Sequence, residues 1–104
     1  MRDPERGEVW LLDLGFVAKI RPCLVLSVAV DPGERVLATV VPHTTSTRTT
    51  RFEAIVPVSF LKPGAFDSQQ LVTVPQAKFL RRLGKLSVDE LATVEEAVRR
   101  WLGL

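Results

Sequence analysis

Short apolar runs broken by Pro, Gly and polar clusters fill most of the chain, and only the last stretch changes period. Gly7 to Asp13 sets Val9 and Leu11 against Trp10 and Leu12, a repeat of two that predicts a strand. Leu14 to Lys19 reads as a short connection. Pro22 to Val30 is a nearly unbroken apolar run and predicts a second, buried strand. Asp31-Pro32-Gly33-Glu34 is a strong turn signal, and Arg35 to Pro42 is a third strand, so the second and third strands should form a hairpin. Thr44 to Thr50 is polar and rich in hydroxyls, which predicts a loop. Arg51 to Val58 alternates again, with Phe52, Ala54 and Val56 against Glu53 and Ile55. Leu61-Lys62-Pro63-Gly64 turns the chain, and Ser68 to Val74 and Lys78 to Leu83 are expected to be further strands.

The repeat of two ends at Ser87. Ser87-Val88-Asp89-Glu90 matches a capping box, with Ser87 at the N-cap and Glu90 three residues on. The helix that it opens places Leu91, Val94, Val98, Trp101 and Leu102 on one stripe. Asp89 and Glu90 lie at its positive end and Arg99 and Arg100 at its negative end, as the helix dipole prefers. Five or six short strands followed by one helix predict a mainly β fold: a curled antiparallel sheet, a small barrel, closed by the C-terminal helix.

Ile20 to Leu26, Ile-Arg-Pro-Cys-Leu-Val-Leu, is the most specific stretch. Pro22 lacks an N–H and has a fixed φ, so it belongs at a strand's first position, with Arg21 held extended at the strand mouth. The run from Val36 to Pro42 ends in turn at His43-Thr44-Thr45-Ser46-Thr47-Arg48. Two apolar strands thus each deliver polar groups at one end, which would build a small, rigid, positively charged site.

At 104 residues, 46% hydrophobic and 25% charged, the chain reads as one domain spanning 1–104, with residues 1–6 a charged, frayed start. A net charge of +2 permits a polyanionic partner without requiring one, so the placement of the charges matters more than their sum. One Cys and one His are too few for a zinc site, and a single cysteine fits a reduced, cytoplasmic setting. No signal peptide stands out, and no run approaches the roughly 20 apolar residues of a membrane span.

The order and spacing of these segments resemble the MazF/PemK family of toxin endoribonucleases. The matching residues are Arg6-Gly7-Glu8-Val9-Trp10, Arg21-Pro22-Cys23-Leu24-Val25-Leu26-Ser27 and Val41-Pro42-His43-Thr44-Thr45. Phe52-Glu53-Ala54, Gln70 before an apolar strand, and Gly84-Lys85-Leu86 leading into the last helix also fit. The resemblance runs from about Arg6 to Leu102. It implies an SH3-like barrel that forms a homodimer, metal-independent and sequence-selective cleavage of single-stranded RNA, no cofactor, and neutralisation by a cognate antitoxin protein. It also implies catalytic roles for Arg21 and Thr44 and places Gln70 in the RNA groove. The sequence departs from the family pattern in three places: the connection from Leu14 to Ile20 is short, and Gln69 and Val72 stand where many members carry an acidic and a basic residue.

The implied chemistry sets the remaining assignments. Metal-free RNA cleavage uses the adjacent 2′-hydroxyl as nucleophile, so the enzyme must take its proton, stabilise a charged phosphorane and protonate the leaving 5′-oxygen. Arg21 suits the second task, because its planar fork matches phosphate oxygens and stays charged. Thr44 would bind phosphate or position the hydroxyl. Its bland reading is a loop threonine bonded to its own backbone. His43 is a candidate acid or base, although strand alternation would turn it away from Thr44. Lys19, Arg48 and Arg51 would form a phosphate track, with Thr45 and Ser46 as weaker contacts. Lys78, Arg81, Arg82 and Lys85 read instead as a solvated face or edge strand, and Glu8 as the partner of a basic neighbour. Trp10, Trp101, Phe60, Phe66 and Phe79 read as core or dimer contacts before base-stacking platforms, and Cys23 as a small buried apolar residue. The rival to the ribonuclease is a non-catalytic SH3-like module, a degenerate toxin that binds nucleic acid or an acidic protein.

Overall fold

Alternation in Glu8–Asp13 buries both faces of one strand, and the rest of the fold is arranged around it. The computed structural model describes residues 3–15 and 19–104. In chain order the strands are β1 (Glu8–Asp13), β2 (Ile20–Val25), β3 (Leu37–Thr44), β4 (Glu53–Ala54), β5 (Ala65–Asp67), β6 (Val72–Pro75) and β7 (Phe79–Lys85). Single 3-10 turns at Ser68–Gln70 and Gln76–Lys78 interrupt them, and helix α1 (Val88–Leu102) follows. The sheet runs β4-β5-β3-β2-β1-β7, with β6 also paired to β3, and every pairing is antiparallel. The predicted mainly β, barrel-like fold with its C-terminal helix is present, and among the described residues no ladder joins β4 to β7, so the curled sheet is not closed.

Val9 faces one apolar cluster with Leu24, Val41, Phe66, Val94 and Val98, and Trp10 and Leu12 face another with Cys23, Val25, Val40 and Phe79. Both clusters exclude water on either side of β1 and β2. This gives the sheet its rigidity, at about 25 cal/mol for each Å² of apolar surface buried. Trp10 meets Phe79 edge to face at 5.7 Å.

The expected hairpin forms, but its ladder is short. Cys23 faces Pro42, Leu24 faces Val41 and Val25 faces Val40; Leu26 and Ser27 still bond to Thr39 of β3, and the chain then leaves the sheet and turns at Asp31–Glu34. Pro22 is the third residue of β2 rather than its first. It has a strand neighbour only on the β1 side, opposite Leu11, because pairing with β3 starts at Cys23, so its missing N–H leaves no gap in a ladder.

The predicted strand over Ser68 to Val74 is two pieces. β5 pairs His43 with Phe66 and β6 pairs Val40 with Val72, so three steps along β3 match six along its partner. The Ser68–Gln70 turn absorbs the excess, with the Asp67 carboxylate accepting the Gln69 N–H at 3.1 Å. The alternation of Arg51 to Val58 yields only Glu53–Ala54 as strand. Beyond it Val56, Val58, Phe60 and Leu61 leave the ladder to fill the first core cluster.

Of the expected frayed start, residues 1 and 2 lie outside the described residues, and residues 3–6 are tied to the fold. Pro4 is buried, Arg6 pairs with Glu95 of α1, and the Gly7 N–H bonds to the Val25 carbonyl. The capping box forms in full, and Gly103 ends the helix at φ 72°, the left-handed region that glycine tolerates. Val94, Ala97 and Val98 are the buried helix positions, while Trp101 and Leu102 remain 43% and 48% exposed. Among the described residues no helix is long and apolar enough to cross a membrane.

Candidate active site

Arg21 on β2 and Thr44 at the end of β3 line the same two hollows, as does Ser46. The ladder explains the convergence, because the Cys23–Pro42 pairing sets the start of the β2–β3 ladder beside the end of β3. The first hollow, about 540 Å³, also takes in Lys19, Ile20, Pro22, His43, Thr45, Phe60, Lys62 and Arg81. The second, about 470 Å³, adds Leu14, Pro42, Arg48, Asp67, Gln70, Val72 and Val74. Arg21, Thr44 and Ser46 therefore form a ridge between two adjoining depressions.

The hollows differ in charge. Lys19, Arg21, Lys62 and Arg81 line the first, and no carboxylate does. Four cations beside hydroxyls and one imidazole suit a phosphodiester. The second holds Arg21 and Arg48 with one carboxylate, Asp67, between an amide and apolar walls.

Thr44 Oγ1 accepts the Ser46 N–H at 3.0 Å, so the bland reading of this hydroxyl holds. The same hydroxyl donates to the Ser46 carbonyl at 3.5 Å, a long bond that a phosphate oxygen would replace. Gly64 lies so close that a Cβ there would overlap the Thr44 carbonyl and crowd the His43 ring. The exposed loop after Thr44 is held by Glu53: both of its carboxylate oxygens accept the Arg48 N–H, and Oε1 also accepts the Thr50 N–H at 3.0 Å. The Arg48 N–H, then those of Thr50 and Thr49, pull the Glu53 carboxyl below its ordinary range against a smaller desolvation effect.

His43 is 5% exposed, lies edge to face on Phe66 at 5.0 Å, and still lines the first hollow. Alternation does not turn it fully away, because β3 ends here and its side chain reaches the hollow's wall. Burial pushes its imidazole below the ordinary range, so it is neutral at physiological pH. Cys23 is fully buried and its thiol is pushed up to about 12 by desolvation, against a smaller opposing effect of Arg21, so it is a packing residue.

The structure brings together Lys19, Arg21, His43, Thr44, Thr45, Ser46, Arg48 and Gln70. It leaves out Arg51, whose guanidinium lies 4.6 Å above the Phe52 ring while its carbonyl accepts from Arg100. Phe52 in turn meets Trp101 at 5.2 Å, so Arg51 belongs to the helix end. Of the second basic set, Arg81 lines the first hollow. It lies across Leu11 from Pro22, a register the sequence does not encode locally. Arg82 reaches the fully buried Glu8 at 2.8 Å, beside the Trp10 indole N–H at 3.1 Å, so Glu8 is the partner of a basic neighbour. Lys62, Asp67 and Glu53 were also missed. Glu53 carried a signal in its position just after a Thr-rich loop. The short connection after Leu14 includes residues 16–18, which lie outside the described residues. Its flanks close on each other through the Leu14 N–H and the Lys19 carbonyl.

Comparison with known proteins identifies the family and the fold. The family profile described as PemK-like, MazF-like toxin of type II toxin–antitoxin system matches residues 5–102. Among solved structures the chain is similar to MazF from Deinococcus radiodurans, with 23% identity, full coverage of both chains and a TM-score of 0.84. It is also similar to a mycobacterial endoribonuclease in complex with its cognate antitoxin, with 24% identity, 97% and 96% coverage and a TM-score of 0.83. The Mycobacterium tuberculosis toxin MazF-mt6 matches at 26% identity, 93% and 97% coverage and a TM-score of 0.80. No curated protein sequence matches.

Proposed function

This chain belongs to the PemK-like, MazF-like toxins of type II toxin–antitoxin systems, and we propose that, as a toxin-type endoribonuclease, it cuts single-stranded RNA at selected sequences without a metal ion. The observation that carries this reading is the first hollow, with four cations and no carboxylate among its described lining residues and a ridge of Arg21 and Thr44 along its side. The scissile phosphate lies on that ridge. Arg21 stabilises the charge that develops on the phosphorane oxygens, a contribution of about 10²–10³ in rate for one well-placed donor. Thr44 donates its hydroxyl proton to a phosphate oxygen. The uncharged imidazole of His43, at the wall of the same hollow, takes the proton of the attacking 2′-hydroxyl. The P–O5′ bond breaks as the 5′-oxygen takes a proton from water in the open hollow, and the products are a 2′,3′-cyclic phosphate and a free 5′-hydroxyl. Lys19, Lys62, Arg81 and Arg48 hold the flanking phosphates. The chain works as a homodimer in the cytoplasm and is neutralised by a cognate antitoxin. Similarity to structures of such toxins with their antitoxins supports the last point.

The test uses purified chain and a long mixed-sequence RNA in chelator, with new ends mapped. Cleavage should occur, and Arg21→Ala and Thr44→Ala should each lower it by about 10²-fold or more. Binding without cleavage would favour the non-catalytic module. Cleavage that survives both changes would remove the ridge from the mechanism.

A further inference from the structure

We propose that Glu8 is a positioning residue for RNA binding: by holding Arg82 on one face of β7 it turns Arg81 into the first hollow. The proposal rests on the endoribonuclease reading for what Arg81 holds, a phosphate beside the cut. The contacts that place Arg81 stand without that reading.

β7 is the last strand in the sheet order and pairs with β1 alone among the described residues, so no strand on its other side fixes its register. The β1–β7 ladder slips twice. Val9 faces Gly84 while Trp10 faces Arg82, and Leu11 faces Arg81 while Leu12 faces Phe79. At each place one step along β1 meets two along β7. Leu83 and Leu80 are thus extra residues, and the regular pairing between them is confined to Arg81 and Arg82. Bulges of this kind re-aim side chains. Residue type does not choose between the two arginines, which are identical, adjacent and, by strand alternation, on opposite faces. A slip of one residue would exchange them.

Glu8 makes the choice. Its side chain is fully buried. Oε1 accepts the Glu5 N–H at 2.8 Å and the Trp10 indole N–H at 3.1 Å, and Oε2 accepts the Arg82 Nε–H at 2.8 Å. A buried carboxylate is tolerated where it is paired and hydrogen-bonded, so the guanidinium that pairs with it is held there. Glu8, Trp10 and Arg82 share one face of the β1–β7 ribbon, and Trp10 carries that face on to Phe79, edge to face. On the other face Arg81 lies opposite Leu11, and both line the first hollow with Leu83. The ion pair on one side of the ribbon thus sets which cation the hollow receives on the other.

The test measures cleavage kinetics and RNA affinity for wild type, Glu8→Gln, Arg81→Ala and the double variant. A phosphate held alike in the ground and transition states contributes to KM and not to kcat. Glu8→Gln should therefore raise KM roughly fivefold and leave kcat within about twofold, and it should add nothing once Arg81 is replaced. A merely structural Glu8 would instead reduce the active fraction. Then kcat would fall, KM would stay, and the loss would be equal in both backgrounds, which would overturn the proposal. Loss of a buried charge can prevent folding, so Arg82→Gln approaches the pair from its partly exposed side. It should give the same rise in KM with the same dependence on Arg81. Arg82→Lys keeps the charge and should hold KM within about twofold of wild type. A rise in KM for Arg82→Gln that persists in the Arg81→Ala background would show that Arg82 meets RNA itself and would overturn the proposal. If wild type binds RNA without cutting it, the enzyme reading fails, and the same cycle, read on affinity, still decides the positioning role.

Discussion

Arg21 and Thr44 meet on one ridge, but they are brought there by regions built on opposite principles. Arg21 precedes Cys23, Leu24 and Val25, none more than 1% exposed, in a strand flanked by β1 and β3. Apolar burial positions it. Thr44 is followed by exposed residues 45–51, positioned by the Ser46 N–H on its own hydroxyl, the Glu53 carboxylate and the close approach of Gly64. Polar contacts and one missing Cβ position it. The first region is therefore expected to fail only when the fold fails, whereas the second can lose its geometry while the fold persists.

Leu24→Ala tests the first region and should have the largest effect. Leu24 is fully buried in the cluster that joins the sheet to α1, so the truncation should cost about 2–5 kcal/mol of stability by denaturant unfolding. Cleavage should fall only in step with the folded fraction. Gly64→Ala tests the second region and comes next. Its Cβ meets Thr44 backbone rather than a flexible side-chain end, so relief requires β3 or the 61–64 turn to move. About 1–3 kcal/mol of destabilisation should accompany a loss of cleavage larger than the folded fraction explains. If instead Leu24→Ala abolished cleavage in fully folded protein, or Gly64→Ala left it intact, the contrast would collapse.

What the sequence revealed follows the same division. The strand-borne half was legible because Val9–Leu12 and Cys23–Val25 obey a local repeat and Pro22 marks the strand that carries Arg21. Ser87 and Glu90 announced α1 for the same reason, since capping is chemistry within four residues. The loop-borne half was legible in its residue types and not in its geometry. Nothing near Ser68 signals that β3 would pair with both β5 and β6, which turned a predicted strand into a turn carrying Asp67 and Gln70 into the second hollow. Arg81 lies on the solvated edge strand that the sequence predicted, but its place at the first hollow depends on a β1–β7 register with two irregularities. Arg51 was misread because charge and proximity in sequence put it with Arg48, whereas the Phe52 ring draws it to the helix end.

A smaller effect is expected at Glu53. Glu53→Gln keeps one acceptor and loses the charge and the second oxygen. The Arg48 and Thr50 N–H groups should be held less firmly and cleavage should fall roughly fivefold, with the unfolding midpoint moved by only a few degrees. The carboxyl has a folded pKa below its unfolded one. Its contribution is therefore complete above the ordinary carboxylate range and is lost as pH falls through the lowered folded value. Wild type should lose stability over that acidic window, and the difference between wild type and Glu53→Gln should shrink there. A difference that stayed constant with pH would show that the charge does not hold the loop.

The smallest effect belongs to Arg51, and it sharpens the comparison by setting two neighbouring arginines apart. Arg48 lines the second hollow on a backbone that Glu53 holds, so Arg48→Ala should weaken RNA binding and lower the salt dependence of log K by close to one unit. Arg51 lies on Phe52, against Trp101, with its side chain committed to a cation–π contact. Arg51→Ala should leave both the salt slope and cleavage within about twofold of wild type, and should instead loosen the end of α1 by roughly 0.5–1 kcal/mol. Filter-binding titrations across a salt series separate the two outcomes. Equal losses of slope for both variants would place Arg51 on the RNA path and make the helix end part of the interface.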